Sequence, residues 1–228
     1  MPDEVVLPDD FFARDAQVVA CALLGKVIRH RLDDVWLAAR IIETEAYCLH
    51  DKASHAWLGQ TPARRALFAA PGTIYMYYAR GGDSLNFSVL GAGNAVLIKS
   101  GYPVQDAYCN AQGLARMQSL NPAADGRVRP PERLCAGQTL LCKSLGLKVP
   151  AWNGQRLDAQ RLYLADSGVR VARIVQTTRL GIAPARDAHL PWRFVDAAHA
   201  AHCSRNPLRR GQIAGQHYRI IDMPIEYE

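Results

Sequence analysis

The sequence predicts a single unit of the α+β class. Three observations carry this: an amphipathic helix near the start, paired strand-like stretches joined by tight turns in the first half, and further strand-like stretches that return after two intervening helices. At 228 residues with 49% hydrophobic content, the chain is long enough to bury a substantial core.

Residues 15–24, DAQVVACALL, place Val18, Val19, Ala22 and Leu23 on one helical face, with Asp15 as N-cap and Gly25 as the C-terminal stop. Two extended stretches, 26–31 and 35–47, then meet at Asp33-Asp34, a pair suited to a hairpin turn. A polar loop over 48–59 holds His50 and His55. TPARRALF (61–68) reads as a short helix with Thr61 at its N-cap and Pro62 in the first turn, ended by Pro71-Gly72. TIYMYY and SLNFSVL read as the strands of a hairpin whose tip, Ala79 to Asp83, carries Arg80 beside two glycines. A strand over 94–99 precedes helices near 104–117 and 131–145. Stretches 161–165, 169–177 and 191–195 supply the late strands, and the tail from Arg209 mixes charges without clear periodicity. The expected division is a catalytic domain over 1–208 and a C-terminal extension over 209–228 that packs on the domain or trails from it.

No run approaches the ~18 apolar residues needed to cross a bilayer, and the acidic start MPDEVVLPDDFF lacks a signal-peptide core. A soluble cytoplasmic protein with no membrane partner is expected. The six cysteines contain no Cys-x-x-Cys pair, which argues for reduced thiols rather than a zinc ribbon or disulfide framework. A net charge of +6 is compatible with a polyanionic ligand, and only five of the 27 basic residues are lysine, although a GC-rich genome produces the same arginine bias.

Chemistry concentrates in IIETEAY (41–47). Strand periodicity puts Ile41, Glu43, Glu45 and Tyr47 on one face, so two carboxylates and a ring point the same way, toward either solvent or a site. Downstream come His55, then Tyr75, Tyr77 and Tyr78, then Asn86 and Lys99. A carboxylate can activate water and stabilise an oxocarbenium-like sugar, while aromatic faces grip an electron-poor purine by stacking and cation–π attraction.

These residues resemble the alkyladenine (3-methyladenine) DNA glycosylase family, the methylpurine DNA glycosylases. The similarity runs from about Leu7 to Arg205 through ETEAY, a following His, QTP, PGTIYMY, LNFS, AVLIK, RLCAGQTLLC and RLGI with PWRF, in the family's order. The resemblance implies a curved, barrel-like antiparallel sheet flanked by helices, with a protruding β-hairpin. It also implies a monofunctional hydrolase that flips a damaged purine out of double-stranded DNA and cleaves its N-glycosidic bond, with no metal or other cofactor. A monomer is expected. By this resemblance Glu45 is the catalytic carboxylate, Tyr47, His55 and Tyr77 enclose the base, Asn86 stands at the pocket wall, and Lys99 occupies a position where the family usually has Arg. Glu43 becomes a supporting residue, and Tyr75 is left open between core and pocket.

Two departures from the family concern DNA contact. Its hairpin carries a Tyr wedge where this sequence offers Arg80, on a hairpin one residue shorter, and its usual Arg-Asn after Thr-Pro is replaced by Ala63-Arg64-Arg65. Arg64, Arg65 and Arg80 are the expected DNA-binding residues. A guanidinium can occupy a base-stack gap, though less like a flat apolar wedge.

Other readings remain open on the sequence. His199, His202 and Cys203 have metal-ligand chemistry but lack a clear fourth ligand, so ordinary structural roles are favoured. An amine nucleophile that cleaves the strand after base removal would need a lysine, and none of the five is well cued for it. A non-catalytic damage-binding module and a hydrolase of free nucleosides are the competing functions.

Overall fold

The computed structural model describes residues 4–79 and 81–223. Asp15 caps the first helix, α1 (Ala16–Ala22), by accepting a hydrogen bond from the Gln17 N–H. Its buried stripe is Ala16, Val19, Ala20 and Leu23, the i, i+3, i+4, i+7 set, so the expected face is rotated: Val18 is half exposed.

Ten strands form one antiparallel sheet among the described residues: β1 (Val5–Val6), β2 (Val27–Leu32), β3 (Val35–Tyr47), β4 (Ile74–Ala79), β5 (Gly82–Ser88), β6 (Ala95–Pro103), β7 (Leu162–Asp166), β8 (Arg173–Thr177), β9 (Arg193–Asp196) and β10 (Tyr218–Asp222). The main path runs β1-β7-β2-β3-β6-β5-β4, and a branch of β9, β8 and β10 leaves from β3. Strand β3, 13 residues long, is the hub. One of its edges pairs with β6, while the other pairs first with β2 and then, over Glu43 to Glu45, with β9. Its register against β6 shifts on both sides of Glu43, an irregularity that bends the sheet where the branch departs. The sheet is not closed, since β1 pairs only with β7 and β4 only with β5 among the described residues.

The β4–β5 hairpin closes at Ala79 and Gly82, which face each other. Arg80 lies outside the described residues. The two glycines have different tasks: Gly81 supplies φ +79°, whereas Gly82 is needed for space, because a Cβ there would sit 2.7 Å from Thr139 Cβ. That contact seats the hairpin on α3 (Gln138–Ser144).

The expected helix over 104–117 instead begins at Asn110, whose side chain accepts from Gln112 and Gly113 N–H, giving α2 (Ala111–Leu120). The expected helix over 131–145 is split into a 3-10 turn, Pro131–Arg133, and α3, because Gly137 breaks the path with φ +126°. Gly146 ends α3 in a Schellman arrangement, with Leu147 N–H donating to Cys142 O and Gly146 N–H to Lys143 O. A last short helix, α4 (Val149–Trp152), follows. The strand expected over 169–177 is confined to β8, and the tail contains β10, paired with β8, which its charge pattern did not signal.

The main core runs between α1, α3 and the β3–β6–β5 face, with Phe12 stacked on Phe87 at 5.0 Å between ring centroids. Both rings are buried. Phe87→Ala is expected to cost about 3–5 kcal/mol through lost burial and a residual cavity. The urea midpoint should fall with an unchanged slope; a loss below about 1 kcal/mol would mean the Phe12–Phe87 stack is not a main contributor to the core.

Candidate active site

Both carboxylates of the ETEAY strand are buried, each 0% exposed, so the solvent-facing alternative does not hold. An ionised carboxylate is tolerated there only if donors replace its water. Glu43 receives Arg193 Nε at 2.6 Å, the Ser204 N–H at 3.0 Å, the Ser204 hydroxyl at 2.9 Å and the Ser100 hydroxyl. Those donors come from β6, β9 and the turn beyond β9. Glu43 thereby ties the branch point of the sheet together.

Glu45 has a different environment. Its Oε2 accepts from the Tyr47 hydroxyl at 2.7 Å and from Lys99 Nζ at 3.4 Å, and its Oε1 accepts the Leu180 N–H at 3.1 Å. Burial pushes the Glu45 carboxyl up. The Lys99 ammonium, the Tyr47 and Leu180 donors and the more distant Arg193 charge outweigh this and hold it below its ordinary value of 4.5. The same proximity works oppositely on Tyr47: burial, then the Glu45 charge and their hydrogen bond, keep its phenol protonated well above the usual range.

Tyr47, Lys99 and Leu180, the three donors to Glu45, line a cavity of about 190 Å³. His55, Tyr77 and Asn86 line it too, so the structure brings all five residues expected around a base to one pocket next to Glu45. Tyr75, left open above, also lines it. Its hydroxyl lies 2.9 Å from His55 Nδ1, and its ring is 5.6 Å from that of Tyr77. His55 and Tyr77 meet at 4.5 Å between ring centroids. Burial, with the nearby Arg64 and Arg186 charges, lowers the His55 pKa, which favours a neutral imidazole. Asn86 pairs across the hairpin with Tyr75 and donates through Nδ2 to its carbonyl at 3.0 Å.

The expected DNA contacts are placed less uniformly. Arg64 donates to the Leu58 and Gly59 carbonyls at 2.9 and 2.8 Å and so braces the loop that carries His55, while Arg65 is exposed on the same 3-10 helix, Pro62–Phe68. Thr61 precedes that helix without a side-chain capping bond.

Sequence reasoning missed the residues that hold the far wall. Arg179 and Asp51 form a fully buried bidentate ion pair, with Nη2 to Oδ1 at 2.9 Å. The guanidinium lies 4.6 Å from the Tyr47 ring centroid and 5.3 Å from that of Trp192, and it also donates to Ala46 O at 3.0 Å. It therefore clamps the loop after β3 to the loop after β8, which delivers Leu180 N–H to Glu45. The available signal was the RLGI stretch, where an arginine stands two residues after a strand and precedes an apolar turn. Gln138 and Arg186, also in the lining, had no such signal.

His199 is engaged by Asp196 at 2.7 Å and packs with His202 on Tyr102, and Cys203 Sγ faces the Ile42 and His199 carbonyls. Among the described residues no group of three or more His, Cys, Asp or Glu could hold a metal ion.

The methylpurine-DNA glycosylase (MPG) family model matches residues 10–200. A protein of Pseudomonas aeruginosa strain PAO1 is 64% identical over 220 residues, covering 96% of this chain and 92% of its own length. One from Pseudomonas syringae pv. tomato is 63% identical over 216 residues, 95% of this chain and 97% of its own. A more distant relative, from the archaeon Methanocella arvoryzae, is 37% identical over 196 residues, 84% of this chain and 92% of its own. Each bears the name "Putative 3-methyladenine DNA glycosylase". With most of its length matched by the family and by relatives of this identity, the chain belongs to the methylpurine-DNA glycosylase family.

Proposed function

We propose that the protein is a monofunctional DNA glycosylase that removes alkylated or otherwise damaged purines from double-stranded DNA as a monomer, leaving an abasic site. The observation that carries this reading is one buried carboxylate, Glu45, held ionised by residues that themselves line an aromatic-walled cavity. The names of the relatives point to the same substrate class.

To enter this cavity a damaged nucleotide would be flipped out of the duplex stack. The rings of Tyr47, His55 and Tyr77 would grip the base. Glu45 would then take a proton from a water as that water's oxygen bonds to C1′ of the sugar. The purine departs with the electrons of the N-glycosidic bond, and the carboxylate charge stabilises the oxocarbenium-like sugar. Lys99 is ion-paired to Glu45, which suits it to hold the carboxylate rather than to attack the sugar itself. Arg64, Arg65 and the hairpin-tip Arg80 are proposed to contact DNA around the flipped nucleotide.

Glu45→Gln keeps the shape but not the base, and should slow single-turnover release of a damaged purine by about 10²–10⁴-fold while lesion-duplex affinity is retained. Near-wild-type release would remove Glu45 from the mechanism, and Glu43→Gln would be tested next.

Because the Glu45 pKa is lowered, the working ionised form already predominates at its ordinary value of 4.5 and gives way to the acid only as pH falls below it. The pH profile of kcat/KM should therefore have no ascending limb above that value that Glu45 controls. A limb at higher pH that vanishes in Glu45→Gln would show the carboxylate to be protonated in the free enzyme.

Tyr77→Ala should weaken binding and base release by a stacking contribution of about 1–3 kcal/mol. A folded variant with unchanged release from a well-stacked lesion would return Tyr77 to the core.

A further inference from the structure

The family match ends at residue 200, and the chain continues as a segment with its own character. Between residues 205 and 219 stand four arginines, Arg205, Arg209, Arg210 and Arg219, and no Asp or Glu. All four are exposed. None forms an ion pair among the described residues; the exposed Arg65, Arg133, Arg161 and Arg173 are likewise without one, while Arg31, Arg116, Arg127 and Arg170 are paired with Asp34, Asp33, Asp125 and Asp166.

The segment is pinned to the site at both ends. Arg193, the same residue that neutralises Glu43, donates to the Arg205 carbonyl at 2.6 Å. Thr177, the last residue before the loop that lines the cavity, donates through its hydroxyl to the His217 carbonyl at 2.7 Å. One cross-strand row runs Glu45, Arg193, Thr177, Tyr218, through β3, β9, β8 and β10. At about 4.8 Å per strand, three spacings put Tyr218 roughly 14 Å from Glu45.

We propose that Arg205, Arg209 and Arg210 of this segment form a second DNA-contacting surface, which takes backbone phosphates to one side of the flipped base. The inference rests on the reading of the site as one that binds duplex DNA. Arginine forks match phosphate oxygens, and positive charge without an acidic partner on a segment anchored to the strands beside the pocket binds backbone without reading sequence. It would also set the polarity with which the protein lies on the damaged strand.

The test is the salt dependence of binding to a duplex carrying one damaged purine, compared between the wild type and an Arg205→Ala/Arg209→Ala/Arg210→Ala variant, with Arg209→Gln/Arg210→Gln as a milder second. Each lost phosphate contact lowers the slope of log K against log salt by about 0.9, so the triple variant should be shallower by about 2 to 3 and the double by about 2. The corresponding lysine triple should restore most of the slope, since the charge is kept. Equal slopes for wild type, triple and double variants, all with wild-type thermal midpoints, would overturn the proposal. Abasic-site formation by the wild type is scored in parallel on the same duplex. A shallower variant slope with no base release by the wild type leaves the surface standing and removes the glycosylase reading; base release with equal slopes removes the surface alone.

Discussion

The burial of two carboxylates in one strand is the constraint on which the rest of this structure depends. Removing an ionised carboxylate from water costs several kcal/mol even after relaxation, and only well-placed donors offset it. In β3 those donors cannot come from the strand's own neighbours alone. Glu43 draws on β6, β9 and Ser204, and Glu45 draws on Tyr47, Lys99 and the Leu180 N–H. The branch of the sheet, the register shifts beside Glu43 and the return of the chain after β8 to the pocket all serve to bring those donors within reach.

The donor shell of Glu45 depends in turn on a second buried pair. Leu180 N–H can reach the carboxylate only if the loop after β8 is fixed, and the preceding residue, Arg179, fixes it by pairing with Asp51 from the loop after β3. The same guanidinium lies over Tyr47, the other donor to Glu45. A buried ion pair is a poor source of net stability but a strong determinant of geometry, because breaking it strands a charge. The position of one pocket wall is thus set by a contact that itself lies outside the cavity.

Much of this was legible in the sequence. The bounds of β3 follow from its alternation and the Asp33-Asp34 turn, and the hairpin around Arg80 follows from paired aromatic strands and glycines. The pocket residues were found through motif order, since neither Tyr77 nor His55 announces a pocket by spacing. What escaped was whatever depended on distant partners. The rotation of α1 was set by packing against β3 and β6, which a short alanine-rich stretch does not specify. The break at Gly137 was hidden by a continuous helical pattern. Among the described residues strand β10 pairs only with β8 and its side chains are exposed or half-buried, so its hydrophobic alternation is too weak to read. Asp51 and Arg179 lie 128 positions apart, and no local pattern links them.

The two glutamates also show why one strand can hold two carboxylates with unlike roles. A carboxylate offers about four acceptor positions. Glu43 meets four donor groups, one of them a guanidinium, and none of them belongs to the cavity lining. It has no acceptor capacity left for a water and serves the sheet. Glu45 meets three donors, the contact to Lys99 is the longest of them at 3.4 Å, and all three donors face the cavity. By that count about one acceptor position of Glu45 is left for the water of the proposed reaction. In the proposed reaction, then, Glu45 rather than Glu43 is the base because its shell is strong enough to keep the charge and incomplete enough to use it.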